Sequence, residues 1–180
     1  MKKLLLIVLT CIMLTGCQSS TRQLDDEKYN AYLSYYQAIL DTENKETVCQ
    51  DFNIELIVNK IGESRYRYDV IIDDPKVAMY DLKVLVIVEN VEGTINTKEM
   101  MPSIGIFEDV SYSMVPNQID KDKMFVEGLD LSVVSNEPVI HLGVMVGYDK
   151  KDGKEGTTHY FELTTTYVEP EQPAENTANQ

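Results

Sequence analysis

Tryptophan is absent from this 180-residue sequence, histidine occurs twice and cysteine three times. Cys11, Cys17 and Cys49 form no C-x-x-C pair, and there is no G-x-S-x-G, no S-x-x-K and no glycine-rich phosphate loop. The serine-nucleophile, phosphate-cradling and dithiol chemistries that need those spacings are therefore disfavoured. Positive charge is also scarce: 16 Lys and Arg stand against 30 Asp and Glu, a net charge of −14. A chain so acidic is repelled by nucleic acid and by anionic headgroups, which excludes a nucleic-acid partner. Long apolar runs are lacking except for Leu4 to Leu14, which carries no charge. As a helix it would reach only about 16 Å, against a hydrocarbon core of roughly 30 Å, so it reads as an export signal and not as a stable membrane span.

What surrounds that run is specific. Lys2 and Lys3 precede it, as in the positively charged start of a signal peptide, and Leu14-Thr15-Gly16-Cys17 closes it where a plain secretory signal would carry an A-x-A-like site. The four residues resemble the lipobox of bacterial lipoproteins. The resemblance implies a cut between Gly16 and Cys17 and a covalent diacylglyceryl lipid on Cys17, with no other cofactor. A thiolate is the side-chain group suited to thioether formation, and two acyl chains anchor stably where one binds only reversibly. The expected location is the extracytoplasmic face of the cell membrane, with residues 1–16 as leader and 17–26 as lipidated cysteine and polar tether. Loss of Lys2 and Lys3 makes the mature chain still more acidic.

Cys11 leaves with the leader and Cys17 is taken by lipid. Cys49 is then alone, and the mature domain has no internal disulfide. A single cysteine is either a reactive thiol or dimer link or, as favoured here, a small hydrophobe at the edge of the first strand.

Residues 27–44 read as an amphipathic helix. Asp25 or Asp26 can cap its start, Tyr29, Tyr32, Leu33, Tyr36 and Leu40 share one face, and Asp41-Thr42-Glu43-Asn44 ends it. Beyond it the period falls to two. Phe52 to Val58, Tyr66 to Ile72 and Leu82 to Val88 alternate as strands, and the third carries Leu85 and Ile87 on its other face, as a central strand does. Ile104 to Phe107, Phe125 to Val134, Val139 to Tyr148 and Thr158 to Tyr167 complete seven, with turn signals at Asp73-Asp74-Pro75 and Glu92-Gly93. The expected fold is mainly β, an immunoglobulin-like antiparallel β-sandwich over residues 45–168 with one N-terminal helix. Pairing Tyr148 with Glu155 around a loop at Lys150-Lys151-Asp152-Gly153 sets Ile140 against Leu163, Leu142 against Phe161 and His159 against Val144. Residues 100–120, with Pro102 and Pro116 near the ends, read as a crossing between sheets. The Pro- and acid-containing tail 169–180 reads as disordered.

That register places His141 on the outer face beside Glu162 and His159 on the inner face, which argues against a shared metal site or a histidine-centred catalytic pair. No catalytic residue is assigned, and the chain is read as not an enzyme. Asp120, Asp122, Asp149 and Asp152 lie in acidic loops and are the candidates for calcium, although none matches the spaced D-x-[DN]-x-[DN]-G loop. Tyr29, Tyr32, Tyr35 and Tyr36 form a candidate interaction surface, since tyrosine offers amphipathic contact area at low entropic cost. The stretches YDVIIDDPKVAMYDLKVLVI and MMPSIGIFEDVSYSMVPNQID resemble a group of uncharacterised lipoproteins of Gram-positive bacteria, a resemblance that brings no assigned activity. The expected role is a non-catalytic binding or interaction module, held to the membrane by its lipid, with a protein or an envelope polymer as partner. The alternative is an accessory lipoprotein of an envelope export or maintenance complex.

Overall fold

A computed structural model of the protein describes residues 19–89, 100–151 and 154–170. The leader, Cys17, the Glu92-Gly93 turn, Asp152-Gly153 and the tail beyond Pro170 lie outside the described residues. Among those described, one helix, α1 (Ser19–Asp41), precedes strands β1 (Asn53–Gly62), β2 (Arg65–Asp73), β3 (Tyr80–Val88), β4 (Ser103–Ile104), β5 (Leu129–Ser135), β6 (Val139–Lys151) and β7 (Lys154–Thr166). Every strand pairing is antiparallel. The sheets run β1-β2-β5 and β4-β3-β6-β7, an immunoglobulin-like sandwich.

The period-two pattern explains the interior. Tyr68, Val70 and Ile72 on β2 face Val84, Val86, Leu142 and Val144 of the other sheet, all with no exposed surface. The outer face of the three-stranded sheet mixes Glu55, Asn59, Arg67, Asp130 and Ser132 with Ile57, Ile71 and Val134, and its centre is Asp69, only 4% exposed. Its carboxylate accepts from Ser132 Oγ at 2.7 Å, Arg67 Nε at 3.0 Å and Asn59 Nδ2 at 3.2 Å, so the buried charge is fully partnered. The Tyr68 hydroxyl reaches out of the core to donate to the Glu137 carbonyl, pinning the β5–β6 connection.

The β6–β7 hairpin keeps the expected faces but in a register two residues away. Tyr148 pairs with Thr157, Leu142 with Leu163, Val144 with Phe161 and His141 with Thr164. Lys151 pairs with Lys154, leaving only Asp152-Gly153 between them. β6 thus continues through Lys150 and Lys151, two residues into the loop expected at 150–153. A shift of two preserves side-chain parity, so the hydrophobic pattern could not separate the registers. The fourth strand is shorter than expected because Gly105 adopts a left-handed φ of 74°, after which Ile106 turns under the helix. The fifth begins at Leu129, since Phe125 is held in bridges to Ser113 and Asp120. Residues 105–128 do cross between the sheets, joining β4 to β5. Glu169, expected to be disordered, meets Lys60 at 3.1 Å.

α1 begins eight residues before the expected start, absorbing Ser19 to Asp26 of the expected tether, and ends at Asp41. It lies on the outer face of the four-stranded sheet. Tyr32, Tyr36 and Ile39 pack there with Leu85, Ile87, Ile106 and Met145, each fully buried apolar side chain contributing about 1.5–3 kcal/mol. Ile39, not Leu40, completes the buried stripe, and Leu40 is exposed. A Cβ on Gly143 of β6 would lie 2.5 Å from Ile39 Cγ2 and 2.4 Å from Glu89 Oε1, so the absence of a side chain there sets how closely the helix approaches. Glu89 Oε1 is buried without an aligned hydrogen bond, and the Lys45 ammonium, 2.8 Å away, neutralises it.

Two glycine substitutions grade this packing. Gly143→Ala should destabilise by about 1–3 kcal/mol through overpacking against a side chain. Gly105→Ala should cost more, because its Cβ would stand 2.0 Å from the Leu82 carbonyl oxygen in a left-handed conformation. Urea denaturation of both variants giving the reverse order would contradict this packing.

Candidate functional site

The segment from Glu46 to Phe52 leaves one sheet and enters the other. The Glu46 amide donates to the Tyr160 carbonyl at 2.7 Å, and Glu162 donates to the Glu46 carbonyl at 3.0 Å, so Glu46 forms a one-residue parallel bridge on the free edge of β7. Phe52 then plugs the end of the core, edge-on to the rings of Tyr148, His159 and Phe161. Between these fixed points the chain bends past β6 and β7, and its polar side chains fall on Tyr148 and His159. Those two are diagonal neighbours on the inner face, since Val146 pairs with His159 and Tyr148 with Thr157.

The resulting cluster is dense. His159 Nδ1 lies 2.9 and 3.2 Å from the two carboxylate oxygens of Glu46. His159 Nε2 lies 3.3 Å from the Tyr148 hydroxyl, which donates to Asp51 Oδ2. Cys49 Sγ stands 3.9 Å from Nδ1 and 4.0 Å from Nε2, and the Asp51 amide donates to it at 3.4 Å. Lys150 Nζ, 3.3 Å from Asp51 Oδ2, closes the far side. The hydrogen bond from Tyr148, and after it the Lys150 ammonium, hold the Asp51 carboxyl below its usual range. Burial, then the facing Asp51 carboxylate, raise the Tyr148 phenol well above its ordinary value. The His159 side chain keeps 17% of its surface and that of Glu46 43%, so the cluster is reachable from solvent.

A cysteine, a histidine and a carboxylate suggest an activated nucleophile, but the distances oppose that. A general base needs a ring nitrogen directed at the thiol. Here Cys49 Sγ is nearly equidistant from both nitrogens, and each has a nearer partner in Glu46 or Tyr148. What the three residues do offer is one oxygen, one sulfur and one nitrogen donor within 4.8 Å of one another, a grouping found nowhere else among the described residues.

The residues singled out from sequence fare differently. Tyr32 and Tyr36, expected on an interaction surface, are 2% and 5% exposed because they form the seam between helix and sheet; Tyr29 and Tyr35 pack half-buried at its rim. The Tyr32 hydroxyl accepts from the Met101 amide at 3.0 Å. The calcium candidates do not converge. Asp120 caps a short 3₁₀ turn by accepting from the Asp122 and Lys123 amides and pairs with the Lys123 ammonium, which, as first cause, lowers its carboxyl. Asp149 lies within β6, and Asp152 lies outside the described residues. Asp73 and Asp74 line a shallow cleft of about 580 Å³ with Asn117, Gln118 and Glu127, but Asp73 accepts from Asn53 and Asp74 pairs with Lys76. His141 Nδ1 lies 3.0 Å from Thr164 Oγ1, away from His159. Cys49 and His159 were singled out separately; Glu46, Asp51 and Tyr148 were missed. A hint existed in Cys49-x-Asp51 directly before a strand, but nothing local marks the bridge at Glu46.

No helix among the described residues is long and apolar enough to cross a membrane. No family model, no curated protein and no solved structure matches the chain.

The buried tyrosines carry a pH signature. Burial, then the neighbouring Tyr32, raise the Tyr36 phenol above its ordinary value of 10.0. Its contribution to stability is complete below pH 10 and lost as pH rises through the folded value. The melting midpoint of the native chain should therefore fall more steeply above pH 10 than that of Tyr36→Phe; parallel profiles would show that this phenol is not desolvated.

Proposed function

We propose that the protein is a lipid-anchored extracytoplasmic lipoprotein whose sandwich acts as a non-catalytic binding module. The observation that carries this reading is Leu14-Thr15-Gly16-Cys17 behind Lys2-Lys3 and an uncharged apolar run. The physical layout supports it. α1 begins at Ser19, two residues after the proposed lipid; Asp25 to Glu27 are exposed, and Lys28 and Tyr29 are partly buried. About 14 Å of helix separates Ser19 from Lys28, stiffer than a polar tether. The acidic surface keeps such a domain off anionic headgroups. An antiparallel sandwich is a common scaffold for recognition, though fold by itself assigns no ligand. The acidic surface favours a basic or cationic partner.

Replacement of Cys17 by Ala tests the anchor. The variant should accumulate as uncut precursor or appear in the soluble fraction, and it should fail to incorporate radiolabelled fatty acid. A variant processed, labelled and retained like the native chain would overturn the assignment.

A further inference from the structure

We propose that Glu46, Cys49 and His159 form a binding site for one borderline divalent transition cation, with zinc the expected occupant. The inference rests on the geometry of the crossing segment and is independent of the lipoprotein reading. Three donors of different type come from two separate elements, which places them in a cup open on the Glu46 side. Zinc bonds to sulfur at about 2.3 Å and to nitrogen and oxygen at about 2.0–2.2 Å, so tetrahedral ligands stand roughly 3.3–3.6 Å apart. The observed 2.9 Å from Glu46 to Nδ1 and 3.9 Å from Cys49 to Nδ1 bracket that spacing. All three donor atoms lie within 4.8 Å of one another, so side-chain adjustment by Glu46 and Cys49 would draw them onto one ion and leave a fourth position for water or a ligand.

The hydrogen bonds are compatible with a bound cation. A carboxylate only accepts, so without a cation the Nδ1–Glu46 contact needs a proton on Nδ1. The Tyr148 hydroxyl commits its single proton to Asp51, so the contact with Nε2 needs a proton there too. An imidazolium meets both contacts, and a cation in place of the Nδ1 proton meets them equally: Nε2–H donates to Tyr148, and Tyr148 donates to Asp51. That is the arrangement metal-bound histidines usually have, with the second ring nitrogen held by an outer hydrogen-bond chain that fixes tautomer and orientation. A thiolate and a carboxylate also match a divalent charge. The donor set of sulfur, imidazole nitrogen and one carboxylate oxygen suits zinc or cobalt(II) and is a poor cage for calcium or magnesium, which favour oxygen alone.

The test uses the full-length chain with Cys11→Ser and Cys17→Ser, leaving Cys49 as the one thiol, after chelator treatment and with a non-thiol reductant. Titration with cobalt(II) should give a thiolate-to-cobalt charge-transfer absorption saturating at one equivalent, bleached by zinc, with a rise in melting midpoint. Cys49→Ser should abolish the band. His159→Gln and Glu46→Gln should each weaken zinc binding at least tenfold, and Tyr148→Phe, which removes the outer hydrogen bonds to Nε2 and Asp51 but no ligand, roughly tenfold. His141→Gln should leave binding unchanged. A folded parent chain that shows no charge-transfer band, or a band whose affinity is untouched by His159→Gln, overturns the site.

Discussion

Leu82, Val84 and Val86 point to one side of β3 and Leu85 and Ile87 to the other, and none of them reaches water. A strand that is apolar on both sides from Val84 to Ile87 must be covered twice there, and that constraint organises the rest of the molecule. One side is closed by the three-stranded sheet and the other by α1, which gives three layers where a plain sandwich has two. The helix is held chiefly by Tyr32, Tyr36 and Ile39, with Tyr29, Leu33 and Tyr35 packed beside them, and it comes close enough because β6 carries glycine at position 143. The tyrosines that make the sequence look like a recognition surface are what this cover consumes.

The same layering fixes the start of the sandwich. A chain arriving from a helix on the outer face of one sheet must pass round the sheet's edge to enter the other. The one-residue bridge at Glu46 is the point of passage, and it also blunts part of the β7 edge that would otherwise present unpaired backbone groups. Forcing the chain through this corner brings Glu46, Cys49 and Asp51 onto Tyr148 and His159. Chemistry-bearing side chains gather there as a by-product of topology, which is why they are far apart in sequence and dense in space.

Legibility in the sequence followed the range of the interactions. Helix and strands were readable because Tyr32, Tyr36, Val84 and Val86 repeat at periods set by local geometry. The inner placement of His159 and outer placement of His141 were readable because parity survives a shift of two residues. The register was not, since the Asp152-Gly153 connection and the four-residue alternative bury the same apolar set. Leu40 and Ile39 lie one step apart around the helix, and only the tertiary contact with Gly143 decides between them. The cluster at Glu46 was beyond reach because it depends on a lone parallel bridge, and Asp69 because its three donors come from three strands.

The position of α1 has a consequence for turnover. The helix is both the element nearest the proposed lipid and, with Met101, Phe107 and Tyr160 at the margin, the main cover of Leu85, Ile87, Ile106 and Met145. A protease cutting ahead of Ser19 would shed an intact, soluble domain. One cutting after Asp41 would release a domain with its apolar outer face bare, prone to self-association and open to degradation. Shedding and destruction are thus set by which end of a single helix is clipped.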